Sequence, residues 1–501
     1  MKSGLDIGKS GGALALLRRV ATAGAVNVAS AVLLLALFLV SWYSLASFPD
    51  SFADEGSYGE AGFSLVTTGR FTPYDVIDGP AFRLGDGLRP HAVGALFGYV
   101  GKQFGYSLRT ARTISFVMVW VAVLLWVPIT KSFGLPPWLG ALLFASSERV
   151  FWASHVFRPE ATLVLVNTVL VFALVRGGSG EASIPYWVGR GLLNGALVLA
   201  HGNGLVSAII NSVEALASCA RRAWRVRAVR LAAYAAGGLL AVGAFYLIQV
   251  RPIGGWRVFL DQFAAAKQYL PREGVLGTVR RDLERRWGRE LLVVGASLTG
   301  KILRGVWYAT VLAATLWSAL GPAGLARRLA VVGLGTVFGY TFLVHDRATI
   351  HIAEMIPFLC AAFLAWLGST APEWARRSAA AVLVMTGLSL CFHHGIKYRP
   401  YRTEPELTCA AIRGYLETRA ARSQPPVRAV VGAASLWFWL KDVVPVVPRD
   451  RGLEGKTLDG NLIVACDPAL LPWLERCSLE YSDPDRRFAA YACPAVAPTP
   501  R

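Results

Sequence analysis

Long apolar segments constrain this chain more than any other feature. They recur between residues 26 and 393 of the 501, and many approach the roughly 20 residues that a helix needs to cross a bilayer. Charged residues make up only 17% of the chain, against about a quarter in an ordinary soluble protein. The net charge of +19 comes largely from short Lys/Arg clusters between the apolar segments, which favours a positive-inside membrane protein over a nucleic-acid binder. The sequence therefore predicts an all-α polytopic membrane protein.

The basic clusters also predict an orientation. We expect about eleven transmembrane helices, with the N-terminus in the cytoplasm and the C-terminus outside, in the plasma membrane (the inner membrane of a bacterium). A further basic stretch at 280–289 falls on the outer side and is expected to be an amphipathic interfacial segment. The clusters assigned to the cytoplasmic side are 18–19, 221–230, 327–328 and 376–377.

Three stretches depart from plain membrane spans. Residues 48–108 predict an outer loop with two interfacial helices, over 60–67 and 91–104. The break His201-Gly202-Asn203-Gly204 divides two short spans, and such breaks are tolerated where they line a cavity or pack against protein. Beyond a transmembrane domain of 1–396, the polar, Pro-rich residues 397–501 predict a small extracytoplasmic α/β domain.

The cysteines divide between these two regions. Four lie in the predicted outer domain, where an oxidising compartment allows any of three disulfide pairings. Three lie in or beside predicted spans and are expected to pack as small apolar side chains. The first group is Cys409, Cys466, Cys477 and Cys493, and the second is Cys219, Cys360 and Cys391.

An acidic pair, Asp54-Glu55, follows the first apolar segment directly. Carboxylates are costly close to hydrocarbon and commonly mark a functional site. The alternative is a helix start, with Asp54 as N-cap and Glu55 in the first turn. The pair alone does not decide between the two interpretations.

Several short motifs follow the acidic pair in a fixed order. The stretch around Asp54-Glu55 runs Ala53 to Tyr58, and Gly69-Arg70-Phe71 ends the segment. Next come Phe104-Gly105-Tyr106-Ser107, Ala111-Arg112 and Arg158-Pro159-Glu160. This order resembles the GT-C membrane glycosyltransferases, in particular the group of the dolichyl-phosphate-mannose–protein mannosyltransferases and lipid A aminoarabinose transferases. The resemblance covers roughly residues 25–370.

The chain departs from the family pattern at two places. Arg89-Pro90-His91 stands where the family tends to have a Lys-Pro-Pro-like motif. In the Gly-rich stretch 191–204, His201 stands where Thr-Lys is common. A later basic segment, His345-Asp346-Arg347 ahead of Pro357, matches the family only loosely.

The resemblance implies transfer of a sugar from a polyprenyl-phosphate carrier to an acceptor glycan, lipid or protein at the outer surface. A carboxylate can take the proton of an acceptor hydroxyl as that hydroxyl attacks the anomeric carbon, which inverts the centre in a one-step displacement. Asp54 is the expected base. Glu55 is the second candidate, or it orients Asp54 or binds the acceptor.

Cationic residues are expected to stabilise the leaving phosphate, and further polar residues to contact the substrate or acceptor. Several of these residues could instead have a purely structural role. Arg158 and Glu160 can pair with each other, and His351 can form a hydrogen bond with Glu354 one helical turn away. Lys301 and Arg304 can extend their charged ends to the membrane surface. His201 can be a buried, satisfied histidine. The phosphate candidates are Arg158, Lys301, Arg304, His345, Arg347 and His351, and the substrate or acceptor candidates are Tyr58, Arg89, His91, Glu160 and His201.

No cofactor is required by the sequence, and a divalent metal is left open because the available ligands show no compact spacing. Those ligands are Asp54, Glu55, His155, Glu160 and His351. A multi-span transporter or lipid-linked-sugar flippase is the main rival function, but such proteins usually show an internal repeat, and none is evident here. A scaffold that presents residues 397–501 is the other rival, and it gives no reason for the acidic pair.

Overall fold

Long helices packed side by side and a small α/β unit make up the protein in the computed structural model. The all-α membrane fold with a C-terminal α/β unit, predicted from the sequence, is confirmed. The structure describes residues 10–49, 53–69, 91–177, 183–220, 222–251, 255–266, 275–291, 298–322, 324–344, 351–369, 372–397, 404–448, 460–466 and 471–494.

The helices of the first half are as follows, in chain order. They are α1 (Ser10–Ser44), α2 (Ala53–Thr68), α3 (His91–Phe104), α4 (Leu108–Ser132), α5 (Pro137–Ala145), α6 (Glu148–Ala153), α7 (Pro159–Arg176), α8 (Ile184–Ala200), α9 (Gly204–Ala220) and α10 (Trp224–Phe245), which a π turn extends over Tyr246–Val250.

The second half continues with shorter helices and then four long ones. They are α11 (Trp256–Ala266), α12 (Val275–Asp282), a π turn over Leu283–Trp287, α13 (Gly288–Leu291), α14 (Leu298–Leu320), α15 (Leu325–Leu343), α16 (Ile352–Ser369) and α17 (Glu373–Lys397).

Six of the described helices contain a segment long and apolar enough to cross a membrane, and α9 is a shorter apolar helix. The total of about eleven transmembrane helices stays a prediction. The six segments are Ala23–Ser44, Leu108–Ser132, Pro159–Arg176, Trp224–Ile248, Ile352–Ser369 and Ser378–Gly395.

Helix α16 is the centre of the bundle. It is apolar on nearly every side, and almost all of its residues are buried, from Ile352 through Leu367. A helix that is hydrophobic all round belongs in the interior rather than at a surface. Helices α7, α14 and α15 pack around it and so hold their polar ends in fixed positions relative to His351, which precedes it.

The first-loop helices α2 and α3 cross at glycines. A Cβ at Gly62 would collide with the backbone carbonyl of Gly94, and a Cβ at Gly98 would collide with that of Gly62. Small residues spaced in this way allow two helix backbones to approach closely. The close crossing fixes α2, and with it the acidic pair, against α3.

The C-terminal unit contains α18 (Glu404–Ala421), α19 (Trp437–Leu440) and a five-stranded sheet in the order β2-β1-β3-β5-β4. Strand β1 is parallel to β2 and β3, whereas β5 is antiparallel to β3 and β4. The structure contains a disulfide between Cys477 and Cys493, which belongs to one of the three pairings left open by the sequence. The strands are β1 (Ala429–Gly432), β2 (Val446–Pro448), β3 (Gly460–Ala465), β4 (Ser478–Ser482) and β5 (Ala489–Cys493).

This unit packs directly on the first-loop helices. Trp437 lies 5.6 Å from Phe63 of α2 between ring centroids, and Phe438 lies 6.1 Å from Phe97 of α3. Both residues of α19 are buried in a core that also includes Tyr58. The helix that begins with the acidic pair is therefore held between the bundle and the C-terminal unit.

Candidate active site

The acidic pair lies in the first turn of α2, where negative charge is favoured by the exposed N–H groups of a helix start. Consecutive helical residues point about 100° apart, so the two carboxylates face different surroundings. The Glu55 side chain is fully buried, whereas 39% of the Asp54 side chain is exposed. The two acidic residues are therefore distinct in their access to a substrate.

Glu55 is held by Arg112 of α4. The Arg112 Nε and Nη2 atoms each donate to one Glu55 oxygen at 2.9 Å, and the Phe157 N–H donates to Oε1 at 2.8 Å. Arg112 Nη1 also donates to the carbonyls of Leu45 and Phe48 at 3.2 Å. This network joins α2 and α4 to the end of α1 and the turn before α7, which is the arrangement of a structural anchor.

Asp54 instead faces Arg158. Arg158 Nη1 donates to Asp54 Oδ2 at 2.7 Å, while its Nε and Nη2 atoms donate to the two oxygens of Glu160 at 3.1 and 3.0 Å. Burial alone would lower the pKa of Arg158, but the charges of Glu160 and Asp54 raise it above its usual value. The Arg158–Glu160 pair, which the sequence left as an alternative, is present, and it fixes the guanidinium that contacts Asp54.

Glu160 also borders a cluster at the start of α16. His351 Nδ1 lies 2.9 Å from Glu354 Oε1 and 3.7 Å from Glu160 Oε1. Tyr340 donates to the other oxygen of Glu354, and the Asn203 side-chain amide lies 3.1 Å from His351 Nδ1. The ends of α7, α15 and α16 and the break before α9 therefore meet at one buried polar network.

Glu160, His351 and Glu354 offer donor atoms within 4.8 Å of one another, a set that suits a divalent ion such as zinc. However, Arg158 already donates to both Glu160 oxygens, and Tyr340 and His351 contact those of Glu354. A metal ion would have to displace these partners. The arrangement therefore favours a hydrogen-bonded network over an ion site.

The predicted site residues fall into several groups. His201 joins the polar network, with its ring 6.3 Å from that of His351, while Tyr58 is buried with its ring 6.4 Å from Phe157. On α14, Lys301 is half-buried, and Arg304 is buried against Glu148. The candidates Arg89, His345 and Arg347 and the side chain of His91 lie outside the described residues.

His155, one of the possible metal ligands named from the sequence, is buried beside the Glu55–Arg112 network. Its Nε2 atom lies 3.1 Å from the Ser44 hydroxyl, and its Nδ1 atom lies 2.7 Å from the Phe151 carbonyl. Burial lowers the pKa of His155 to about 3, and the nearby charge of Arg112 lowers it further. His155 is therefore a neutral packing residue at neutral pH.

A second buried ionic cluster was not predicted from the sequence. Glu148 accepts hydrogen bonds from Arg304 at 2.6 Å and is 2.7 Å from His394, and Arg149 pairs with Glu290. Burial by itself would raise the pKa of Glu148, but the bonds from Arg304 and His394 hold it well below its usual range. The sequence did contain one sign of this cluster, because the adjacent charged residues Glu148 and Arg149 interrupt an apolar segment.

Several solved structures have a fold similar to that of this chain over 92% of its length. ArnT from Cupriavidus metallidurans in the apo state matches with a TM-score of 0.59 at 15% identity, covering 92% of this chain and 97% of that chain. The same protein bound to undecaprenyl phosphate matches with a TM-score of 0.55 at 14% identity over the same shares. The Archaeoglobus fulgidus oligosaccharyltransferase in complex with Zn and sulfate matches at 0.53 and 13%, covering 92% of this chain and 73% of that chain.

No family model matches the sequence, and no curated protein matches it at a significant level. The likeness therefore rests on three-dimensional structure. The chain has the same fold as ArnT and this oligosaccharyltransferase, in agreement with the family resemblance found in the sequence.

Proposed function

We propose that this protein is a membrane glycosyltransferase that moves a sugar from a polyprenyl-phosphate carrier to an acceptor hydroxyl, with Asp54 as general base. The observation that carries the proposal is the difference within the acidic pair: Asp54 is partly exposed beside Arg158, whereas Glu55 is fully buried against Arg112. The GT-C fold and the neighbour bound to undecaprenyl phosphate support the carrier.

The proposed reaction is a single displacement. The acceptor oxygen attacks the anomeric carbon as Asp54 takes its proton, and the bond from that carbon to the phosphate oxygen breaks. The electron pair leaves with the polyprenyl phosphate, which departs as an anion. The anomeric centre is inverted because attack and departure occur on opposite sides. The acceptor is a glycan, a lipid or a protein.

Arg158 is proposed to position Asp54. The Arg158 side chain is 12% exposed, and its guanidinium is shared between Asp54 and Glu160, so its three nitrogens all donate to carboxylates. A planar guanidinium held at two edges fixes the geometry of the group it binds. A bidentate contact on Glu160 leaves Nη1 to orient the Asp54 carboxylate toward the acceptor.

The leaving phosphate needs a nearby cation. Arg304 is committed to Glu148, and His351 lies between two glutamates, so neither environment favours an added anion. We therefore assign the phosphate role to Lys301, His345 and Arg347, of which the last stands only four positions before His351 in the sequence.

The site is proposed to face the outside of a bacterial inner membrane, with the C-terminal unit on the same side. The basic residues of 222–230 and 327–328 support this orientation because they lie at the opposite ends of helices that reach the Asp54 site.

The function can be tested with purified protein in detergent micelles. The probe is an undecaprenyl-phosphate-linked sugar mixed with a detergent extract of the host envelope as acceptor. We expect the sugar to appear on the acceptor together with an equal amount of released undecaprenyl phosphate. In proteoliposomes, movement of the intact lipid-linked sugar across the bilayer without cleavage would instead support the flippase alternative.

A further inference from the structure

A cavity lies at the end of the bundle remote from Asp54. It has a volume of about 890 Å³ and lies among α8, α9, α10 and α15 and the end of α7. Helices α7 and α9 begin near the candidate active site and end at this cavity, while α8 and α15 begin at the cavity and end at the site. The 18 residues of α7 put about 27 Å between the two, so they are separate sites.

The cavity is strongly basic. Among the described residues, its lining includes five arginines and one carboxylate, Glu214. Glu214 accepts from Arg190 at 2.7 Å and also pairs with Arg328, so one acidic group is shared between two cations. The surplus of positive charge favours an anionic ligand. The five arginines are Arg190, Arg222, Arg230, Arg327 and Arg328.

Buried donors in the lining are left over after the protein's own contacts. Arg190 Nε and Trp187 Nε1 are buried and have no hydrogen-bond partner among the described residues, although both side chains are almost wholly enclosed. Burying a donor without an acceptor costs about 1–3 kcal/mol. Such groups are tolerated where a ligand or ordered water supplies the missing acceptor.

One side of the cavity is apolar and lies at the surface of the bundle. Val213 and Val331 line it and are more than half exposed, and Ile210, Ala217 and Val332 complete the wall. On transmembrane helices, exposed valines contact acyl chains. The cavity therefore combines a basic pocket with an apolar side that is exposed at the surface of the bundle.

We propose that this cavity binds the phosphate headgroup of an anionic membrane lipid, with the acyl chains along the Val213–Val331 side. Basic pockets between transmembrane helices are a known way to hold such headgroups, and the cavity volume lies within the range of small-molecule sites. A soluble anion would use the arginines but would leave the apolar wall without a role.

The test measures lipid binding to the purified full-length protein in neutral detergent by native mass spectrometry. Phosphatidylglycerol is compared with phosphatidylcholine of the same acyl chains, and inorganic phosphate serves as the soluble anion. The variant Arg222→Gln/Arg327→Gln removes two exposed cavity arginines, and Arg225→Gln removes an exposed arginine that stacks on Trp224 and does not line the cavity.

We expect wild type to bind phosphatidylglycerol at least tenfold more tightly than phosphatidylcholine, and millimolar phosphate not to displace it. The double variant should bind about 30-fold more weakly, or about fivefold per arginine, while Arg225→Gln stays within twofold of wild type. Equal binding of the two lipids, or equal losses in the double variant and Arg225→Gln, would overturn the proposal. Displacement by phosphate would show a soluble anion site and would overturn the assignment to a lipid.

Discussion

At the residue scale, Asp54 and Glu55 are adjacent in sequence but have different surroundings. The sequence predicted that this pair matters, because two carboxylates beside a membrane segment are costly. It ranked Asp54 ahead of Glu55 as the base but could not show which of the two carboxylates is exposed. That depends on the rotation of α2 and on Arg112, whose side chain reaches Glu55 from 57 positions along the chain. The same limit applies to Glu148, whose partner Arg304 is 156 positions away.

The buried Glu55–Arg112 pair makes a stability prediction. Glu55→Gln leaves the Arg112 charge buried without its counter-ion, and breaking a buried pair in this way typically costs about 3–5 kcal/mol. We expect a clear loss of thermal stability and of monodisperse protein in detergent, measured by differential scanning fluorimetry and size-exclusion chromatography. Asp54→Asn is the matched control, since it removes one charge from the neighbouring, partly exposed position and should cost under about 1 kcal/mol. A Glu55→Gln protein with the melting temperature of wild type would contradict the role of the Glu55–Arg112 pair as a structural anchor.

The lowered pKa of His155 predicts acid sensitivity. The folded pKa of about 3 lies below the ordinary value of 6.5, so the unfolded chain binds a proton first as pH falls. The stability that neutral His155 contributes is present above pH 6.5 and is lost progressively down to about pH 3. At pH 5 the loss relative to pH 7.5 is about 2 kcal/mol. Urea unfolding at both pH values should show this loss in wild type and a smaller one in His155→Gln, and equal losses would refute the assignment.

At the element scale, local signals predicted the helices well. The helix expected over 91–104 is α3, and the break expected at 201–204 separates α8 from α9. These features were predictable because apolar periodicity and helix breaks at glycine depend only on neighbouring residues. The packing partners were not predictable in this way. Nothing in residues 397–501 indicated that Trp437 and Phe438 would pack on the helix that carries Asp54, since that contact joins opposite ends of the chain.

The glycine crossing of α2 and α3 predicts the effect of one added methyl group. Gly62→Ala places a Cβ against the Gly94 carbonyl and should push the helices apart, which costs about 1–3 kcal/mol and displaces Asp54. Both the melting temperature and sugar transfer should fall. Gly189→Ala is the control, because it lies within α8 with nothing within 4 Å of the added Cβ, and should be neutral or slightly stabilising. Unchanged stability and transfer in Gly62→Ala would argue against the close crossing.

At the scale of the whole molecule, four helices connect two polar ends. One end carries Asp54, Glu160 and His351 and adjoins the C-terminal unit, and the other carries the basic cavity. The Lys/Arg clusters at 221–230 and 327–328 allowed the sequence to predict that these residues lie at the end of the bundle opposite Asp54. The cavity itself was not predicted, because its arginines come from separate helices and only the fold brings them together.

The proposed topology places these two ends on opposite sides of the membrane. Single cysteines at Arg225→Cys and Gly414→Cys should differ in labelling by a membrane-impermeant maleimide applied to intact cells. We expect position 414, an exposed site on α18 with open space around its Cβ, to be labelled and position 225 to be protected until the cells are permeabilised. Labelling of both positions in intact cells would contradict the proposed topology.

The proposed base is tested most directly by sugar transfer from undecaprenyl-phosphate-linked donor in the Asp54→Asn protein. Asparagine keeps the size of the side chain and can still meet Arg158 through its carbonyl, but it cannot accept the proton. General-base catalysis is typically worth about 10²–10⁴-fold, so turnover should fall by that amount while the melting temperature and donor binding stay near wild type. Turnover within a few-fold of wild type would contradict the account, and Asp54 would then be a helix-start residue paired with Arg158.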